Sequence, residues 1–171
     1  MALEMINKEI NIRQMTEDDL EAVKRLELIC GLSFWSVEEY HTSLRNSDYI
    51  MLIAKYYNNI IGFSVARLIT QKCNCFNFED CEKCLEIEIY NIGIDAKYRR
   101  RGIGREMIEK CLISLNSSAR VIFYLDVRKS NAEAINFYLN LGFSIQGVRK
   151  QFYRNPSEDG LVMSLNKIYK P

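Results

Sequence analysis

The segment Arg99-Arg100-Arg101-Gly102-Ile103-Gly104-Arg105 constrains this chain more than any other. Upstream, residues 85–94 alternate as a strand, with Glu86, Glu88 and Tyr90 on one face. Downstream, Ile103, Met107, Ile108, Cys111, Leu112 and Leu115 recur at helical spacing. The segment therefore joins a strand to the N-terminus of an amphipathic helix. The first four N–H groups of a helix have no intrahelical partner and form an anion site. Gly102 and Gly104 let the backbone approach a pyrophosphate with no Cβ in the way. The arginines add charge and donors. Three arginines alone read as a solvated basic run; the glycine pair at a strand–helix junction favours a phosphate site. The spacing is not the dinucleotide fingerprint, and no Gly-Lys-Ser/Thr follows, so neither a Rossmann turn nor a P-loop is expected.

The same reading along the rest of the chain gives alternating elements. Residues 10–15 form a first strand. Thr16-Glu17-Asp18-Asp19 is a capping signal, and Leu20, Val23, Leu26 and Cys30 follow at helical spacing. A second helix starts near Ser36 with Val37, Tyr40 and Leu44 on one face, after the apolar loop Gly31-Leu32-Ser33-Phe34-Trp35. Strands at 49–56 and 60–70 flank an Asn58-Asn59 hairpin turn. A strand at 120–127, a helix at 131–141 and strands at 143–148 and 160–165 complete the chain. The order β-α-α-β-β-β-α-β-α-β-β predicts a mixed α/β domain with a central βαβ unit. One domain is expected over 1–171, with residues 71–84 a cysteine-rich hairpin insertion.

The 171 residues are 48% hydrophobic and 26% charged, with a formal net charge of +1. No overall field favours nucleic acid or an anionic membrane. No apolar run of about 18 residues suggests a membrane span. Residues 1–11 carry Glu4, Lys8 and Glu9 and lack the apolar core of a signal peptide. A cytoplasmic protein is expected, as a monomer or weak dimer, with its six cysteines reduced. Cys30 and Cys111 fall within helical apolar patterns. Cys73, Cys75, Cys81 and Cys84 read either as a structural zinc clip or as unligated thiols; the C-x2-C pair is typical of zinc sites and the C-x-C pair is tighter than usual.

The arginine–glycine loop resembles the pyrophosphate motif of GNAT N-acetyltransferases, Q/R-x-x-G-x-G/A, with Arg99, Gly102 and Gly104 filling it. Asn91-Ile92-Gly93-Ile94-Asp95 resembles the family strand that splays from its neighbour. Asp126-Val127-Arg128-Lys129-Ser130-Asn131, Ala134, Phe137-Tyr138 and Leu141-Gly142-Phe143 resemble its second half. Within the family, the similarity extends over nearly the whole chain to the branch that acetylates the N-terminal alanine of a ribosomal protein. It includes Phe34-Trp35-Ser36, Arg149, Phe152-Tyr153 and Glu158-Asp159. The cysteine insertion has no counterpart there.

The resemblance implies acetyl-CoA as donor. The backbone of Ile92, Gly93 and Ile94 would hold its pantetheine. The loop Arg99, Arg100, Arg101, Gly102, Ile103, Gly104 and Arg105 would hold its pyrophosphate, and Asn131 would touch it at a helix start. Tyr138 falls at the family's general acid. Asp126 falls at the general base, where the resembled branch has Glu; a water, Glu88 or Glu86 are the alternatives. Phe34, Trp35, Glu88 and Tyr153 are expected to line the acceptor groove, which would take the N-terminal segment of a protein. A small amine as acceptor, or acyl-CoA binding without catalysis, remain the competing readings. His41, the single histidine, is given no role.

Overall fold

The computed structural model describes residues 9–32, 35–69, 84–113 and 119–169. Its elements are β1 (Ile10–Gln14), α1 (Leu20–Ile29), α2 (Val37–Leu44), β2 (Tyr49–Tyr56), β3 (Asn59–Ile69), β4 (Cys84–Ile94), α3 (Ile103–Ile113), β5 (Ala119–Arg128), α4 (Ala132–Asn140), β6 (Ser144–Arg154) and β7 (Ser157–Tyr169). This is the order that the periodicity predicts. The seven strands form one sheet in the order β1-β2-β3-β4-β5-β7-β6. β4 and β5 are parallel; β1·β2, β2·β3, β5·β7 and β6·β7 are antiparallel. The fold is mixed α/β, with β4-α3-β5 as its βαβ unit.

The chain forms two compact units, Met1–Arg67 with Tyr90–Leu115, and Leu68–Ile89 with Asn116–Pro171. In the first, Leu20, Val23 and Leu26 of α1 meet Tyr40 of α2 and Met51, Ile53, Phe63 and Val65 of the strands in one buried cluster. On α3, Ile103, Met107, Ile108, Cys111 and Leu112 are buried, as their spacing requires. In the second, Val121, Phe123, Leu125 and Val127 alternate inward along β5 and are buried, as are Tyr138, Phe143, Leu161, Met163 and Leu165.

Thr16 and Asp19 form the capping pair ahead of α1; the Asp19 carboxylate accepts from the Thr16 N–H at 2.9 Å and from Arg13 at 2.7 and 2.8 Å. Three local readings change. Val37 is 53% exposed, so the inward face of α2 rests on Tyr40 and Leu44. The first hairpin turns at Tyr57 and Asn58, since Tyr56 already pairs with Asn59; Tyr57 takes φ +50°. β6 and β7 run well past their predicted ends and turn at Asn155 and Pro156. Cys73, Cys75 and Cys81 lie outside the described residues, and Cys84 opens β4. Among the described residues no helix is long and apolar enough to cross a membrane.

Candidate active site

In the first unit, the end of β4 leads into the arginine–glycine loop. The parallel register of β4 with β5 stops at Ile89↔Leu125, although β4 continues to Ile94 and β5 to Arg128. Asn91, Ile92, Gly93 and Ile94 thus lie beyond that ladder, as expected of a strand offering backbone groups to a ligand. A Cβ on Gly93 would stand 2.8 Å from Phe63 and 2.9 Å from Leu32, so this strand sits too close to its neighbours for any side chain. Asp95 N–H donates to the Ile61 carbonyl at 2.9 Å, and its side chain accepts from Lys97 N–H at 3.0 Å.

The loop itself divides its labour. Arg99 Nε donates to the Ile94 carbonyl at 3.1 Å, which couples the loop to the strand end. Arg101 lies over the Tyr98 ring at 5.2 Å and donates to the Lys97 carbonyl at 3.3 Å. Arg100 and Gly102 take φ +62° and +79°. A Cβ at Gly102 would meet nothing within 4 Å, which leaves the backbone open on that side. Ile103 and Gly104 are buried in the helix packing, so only their backbone could meet a ligand; Arg100 and Arg105 are exposed. A left-handed turn, an open backbone and exposed arginines at a helix start fit a diphosphate.

The second unit carries titratable groups on four elements, β4, β5, α4 and β6. Asp126 lies on β5, with its side chain 15% exposed. Burial raises its pKa; Arg149 opposes this with Nε 3.4 Å from Oδ1, and Glu88 on β4 adds to it. Tyr138 on α4 is 6% exposed, and burial holds its hydroxyl well above the ordinary tyrosine value, with Tyr153 adding to the effect. Its ring packs on Phe137 and Phe143, at centroid distances of 5.1 and 5.2 Å. Tyr153 on β6 is also raised, by burial first and then by Asp126. Asp126 thus acts electrostatically on Tyr153, Tyr153 on Tyr138, and Glu88 on Asp126.

Arg128 fastens the β6–β7 hairpin that carries Tyr153. Its guanidinium lies 4.3 Å from the Tyr153 centroid, donates to the Asn155 and Pro156 carbonyls at 2.9 and 3.1 Å, and pairs with Glu158 at 3.3 Å. Glu158 also accepts from the Ser130 N–H. Asn131 caps α4, its Oδ1 accepting from Ala134 N–H at 3.1 Å, so its exposed amide nitrogen is the group left for a ligand.

Trp35 is half-buried against Tyr40, Tyr49 and Tyr90, at 5.5, 6.2 and 5.5 Å between centroids. Phe34 lies outside the described residues. The sequence reading misses Glu27 altogether. This carboxylate is fully buried and accepts from Tyr40 Oη at 3.0 Å, the Trp35 N–H at 3.2 Å and Asn91 Nδ2 at 3.5 Å. The available signal is its place in the stripe Leu20, Val23, Glu27, Cys30, where an acidic residue replaces an apolar one.

Residues 17–143 match the Acetyltransferase (GNAT) family. The [ribosomal protein bS18]-alanine N-acetyltransferase of Escherichia coli K12 is 35% identical over 156 residues, 90% of this chain and 95% of that one. The Salmonella typhimurium protein of the same description is 37% identical over 82 residues, 47% of this chain and 55% of that one. The crystal structure of the E. coli ribosomal-protein-S18-alanine N-acetyltransferase superposes with a TM-score of 0.71 at 23% identity, over 95% of this chain and 96% of that one. Arabidopsis thaliana NAA60 in complex with acetyl-CoA gives 0.77 at 19% identity, over 92% and 98%.

Proposed function

Because the chain belongs to the GNAT acetyltransferase family, we propose that it transfers acetyl from acetyl-CoA to the α-amino group of a protein N-terminus, with an N-terminal alanine of a ribosomal protein as the leading acceptor. The observation that carries this reading is a pair of buried titratable groups in one unit, the Asp126 carboxyl with its side chain 15% exposed and the Tyr138 hydroxyl on a residue 6% exposed, each raised by desolvation. The 35% identity to the E. coli enzyme over 90% of the chain supports the acceptor.

When bound, acetyl-CoA supplies an acetyl thioester. The backbone of Ile92–Ile94 would hold its pantetheine arm and the loop from Arg99 to Arg105 its diphosphate, and the Asn131 amide is a further candidate donor to it. Asp126 Oδ1 has Arg149 Nε 3.4 Å away but makes no hydrogen bond among the described residues, so a lone pair is left for the proton of the incoming ammonium. Its raised pKa makes it a stronger base than an exposed aspartate. A free α-amine has a pKa of about 7.7–8.0, so its deprotonation near neutrality costs about 1 kcal/mol; a lysine, at about 10.4, costs about 4–5 kcal/mol. A one-carbon-shorter carboxylate is adequate for the first acceptor and poor for the second. The amine nitrogen bonds to the thioester carbon as the C–S bond breaks; Tyr138 Oη gives its proton to the departing thiolate and recovers one from the nitrogen as the amide forms. Glu88 acts on the Asp126 carboxyl from β4, and Trp35 and Tyr153 are the residues this reading assigns to the acceptor.

Incubation with acetyl-CoA and peptides beginning Ala-, Ser- or Met-, with free polyamines alongside, tests this through release of the CoA thiol. Release with the Ala- peptide is expected. Release with polyamines alone would replace the acceptor, and acetyl-CoA binding without release from any amine would replace the activity.

A further inference from the structure

A single ion pair on α1 takes both polar groups of one peptide residue. Lys24 Nζ lies 2.8 Å from Glu27 Oε2 and also donates to the Trp35 carbonyl, while Glu27 Oε1 accepts the Trp35 N–H. Trp35 leads into α2, and Tyr40 of that helix donates to the same oxygen. Asn91 donates to it from β4, two residues past the end of the β5 ladder. The Glu27 side chain has no exposed surface and that of Lys24 only 16%.

Stability is a weak reason to keep such a pair. Desolvating two charges costs several kcal/mol, and well-packed apolar residues often serve the fold as well or better. What the pair achieves is geometric: it holds both the N–H and the carbonyl of one residue and links that residue to Asn91. We infer that Lys24 and Glu27 are positioning residues for acetyl transfer, which hold Trp35 in place to receive the acceptor N-terminus. The inference rests on the reading of Trp35 as an acceptor-groove residue.

Trp35 is the single tryptophan of the chain, so its fluorescence reports this position directly. The test uses Lys24→Met and Glu27→Gln in the full chain, with far-UV circular dichroism to establish folding. Lys24→Met leaves the three donors on Glu27 and serves if Glu27→Gln does not fold. Three results are expected: acrylamide quenching of Trp35 rises, the acetyl-CoA Kd stays at the wild-type value, and the KM for the Ala- peptide rises about tenfold or more with a smaller change in kcat. Lys24→Arg, which keeps the donor, should recover most of the KM. Unchanged quenching in folded variants overturns the clamp whatever the peptide assay gives. Raised quenching with an unchanged peptide KM overturns its role in the reaction. A wild-type protein that acetylates polyamines and no peptide defeats the acceptor reading instead, and the quenching arm still decides the clamp.

Discussion

Arg149 Nε stands 3.4 Å from Asp126 Oδ1, and the carboxyl nevertheless titrates above the ordinary aspartate range. Burial outweighs the cation, because Arg149 is half exposed and its field is shared with water, while the carboxylate is not. The separation also exceeds a strong charged hydrogen bond, so Oδ1 keeps its basicity.

Asp126→Asn should therefore lower kcat/KM by about 10²-fold or more and leave the protein as stable or more so. A carboxyl whose folded pKa is raised contributes stability below its unfolded pKa and loses it as pH climbs through the folded value. Near neutrality the wild type carries that cost and the amide does not. Thermal melts should favour Asp126→Asn at neutral pH and converge with wild type in acid. A lower melting temperature at neutral pH would show that the Arg149 pair dominates.

Tyr138→Phe removes one oxygen and keeps the ring that packs on Phe137 and Phe143. Turnover should fall about 10²-fold, with the Kd for acetyl-CoA and the melting temperature close to wild type. Steady-state kinetics with a titration of acetyl-CoA separates the two effects; full turnover in the variant would remove Tyr138 as the acid.

Gly102→Val tests the diphosphate loop. The added side chain meets open space, so the penalty comes from φ +79° alone, and a β-branched residue there costs about 1–3 kcal/mol. Calorimetric titration should show weaker acetyl-CoA binding, and the melt a lower midpoint. Wild-type affinity in a folded variant would place the coenzyme elsewhere.

Arg128→Ala should loosen the hairpin that carries Tyr153, since one guanidinium serves two carbonyls, Glu158 and the Tyr153 ring. Removing charged hydrogen bonds of this kind costs about 1.5–3 kcal/mol. Arg128→Lys should fall in between, because an ammonium keeps the charge and loses the planar fork. Thermal melts and the peptide KM of the two variants give the order.

Element order was legible because each segment repeats an apolar residue at its own period, as Ile103, Met107 and Cys111 do on α3. The left-handed turn at Arg100 and Gly102 ahead of α3 was legible because the arginine–glycine residues are contiguous. The long hairpin was not: its ladder breaks between Ile145 and Gly147 and between Arg149 and Tyr153, and these breaks scramble the alternation. Asp126, Glu88, Tyr138 and Tyr153 were named through the resemblance, but the approach of Arg149 Nε to Asp126 Oδ1 was not, since the two residues stand more than twenty positions apart in sequence. Glu27 was hidden for a different reason. Periodicity marks which face turns inward, and an acidic residue on that face has meaning only once Lys24, Trp35, Tyr40 and Asn91 are seen around it.

The same two breaks bear on solubility. β6 is the last strand of the sheet and shows water Ile145, Val148 and Phe152, each more than two-fifths exposed. A straight, regular border of that composition would template a neighbouring chain into fibrils. Gln151, at φ +50° and tethered through its N–H to Asp159 at 3.0 Å, bends the border out of register. A variant that smoothed this kink would gain ladder bonds and lose colloidal stability.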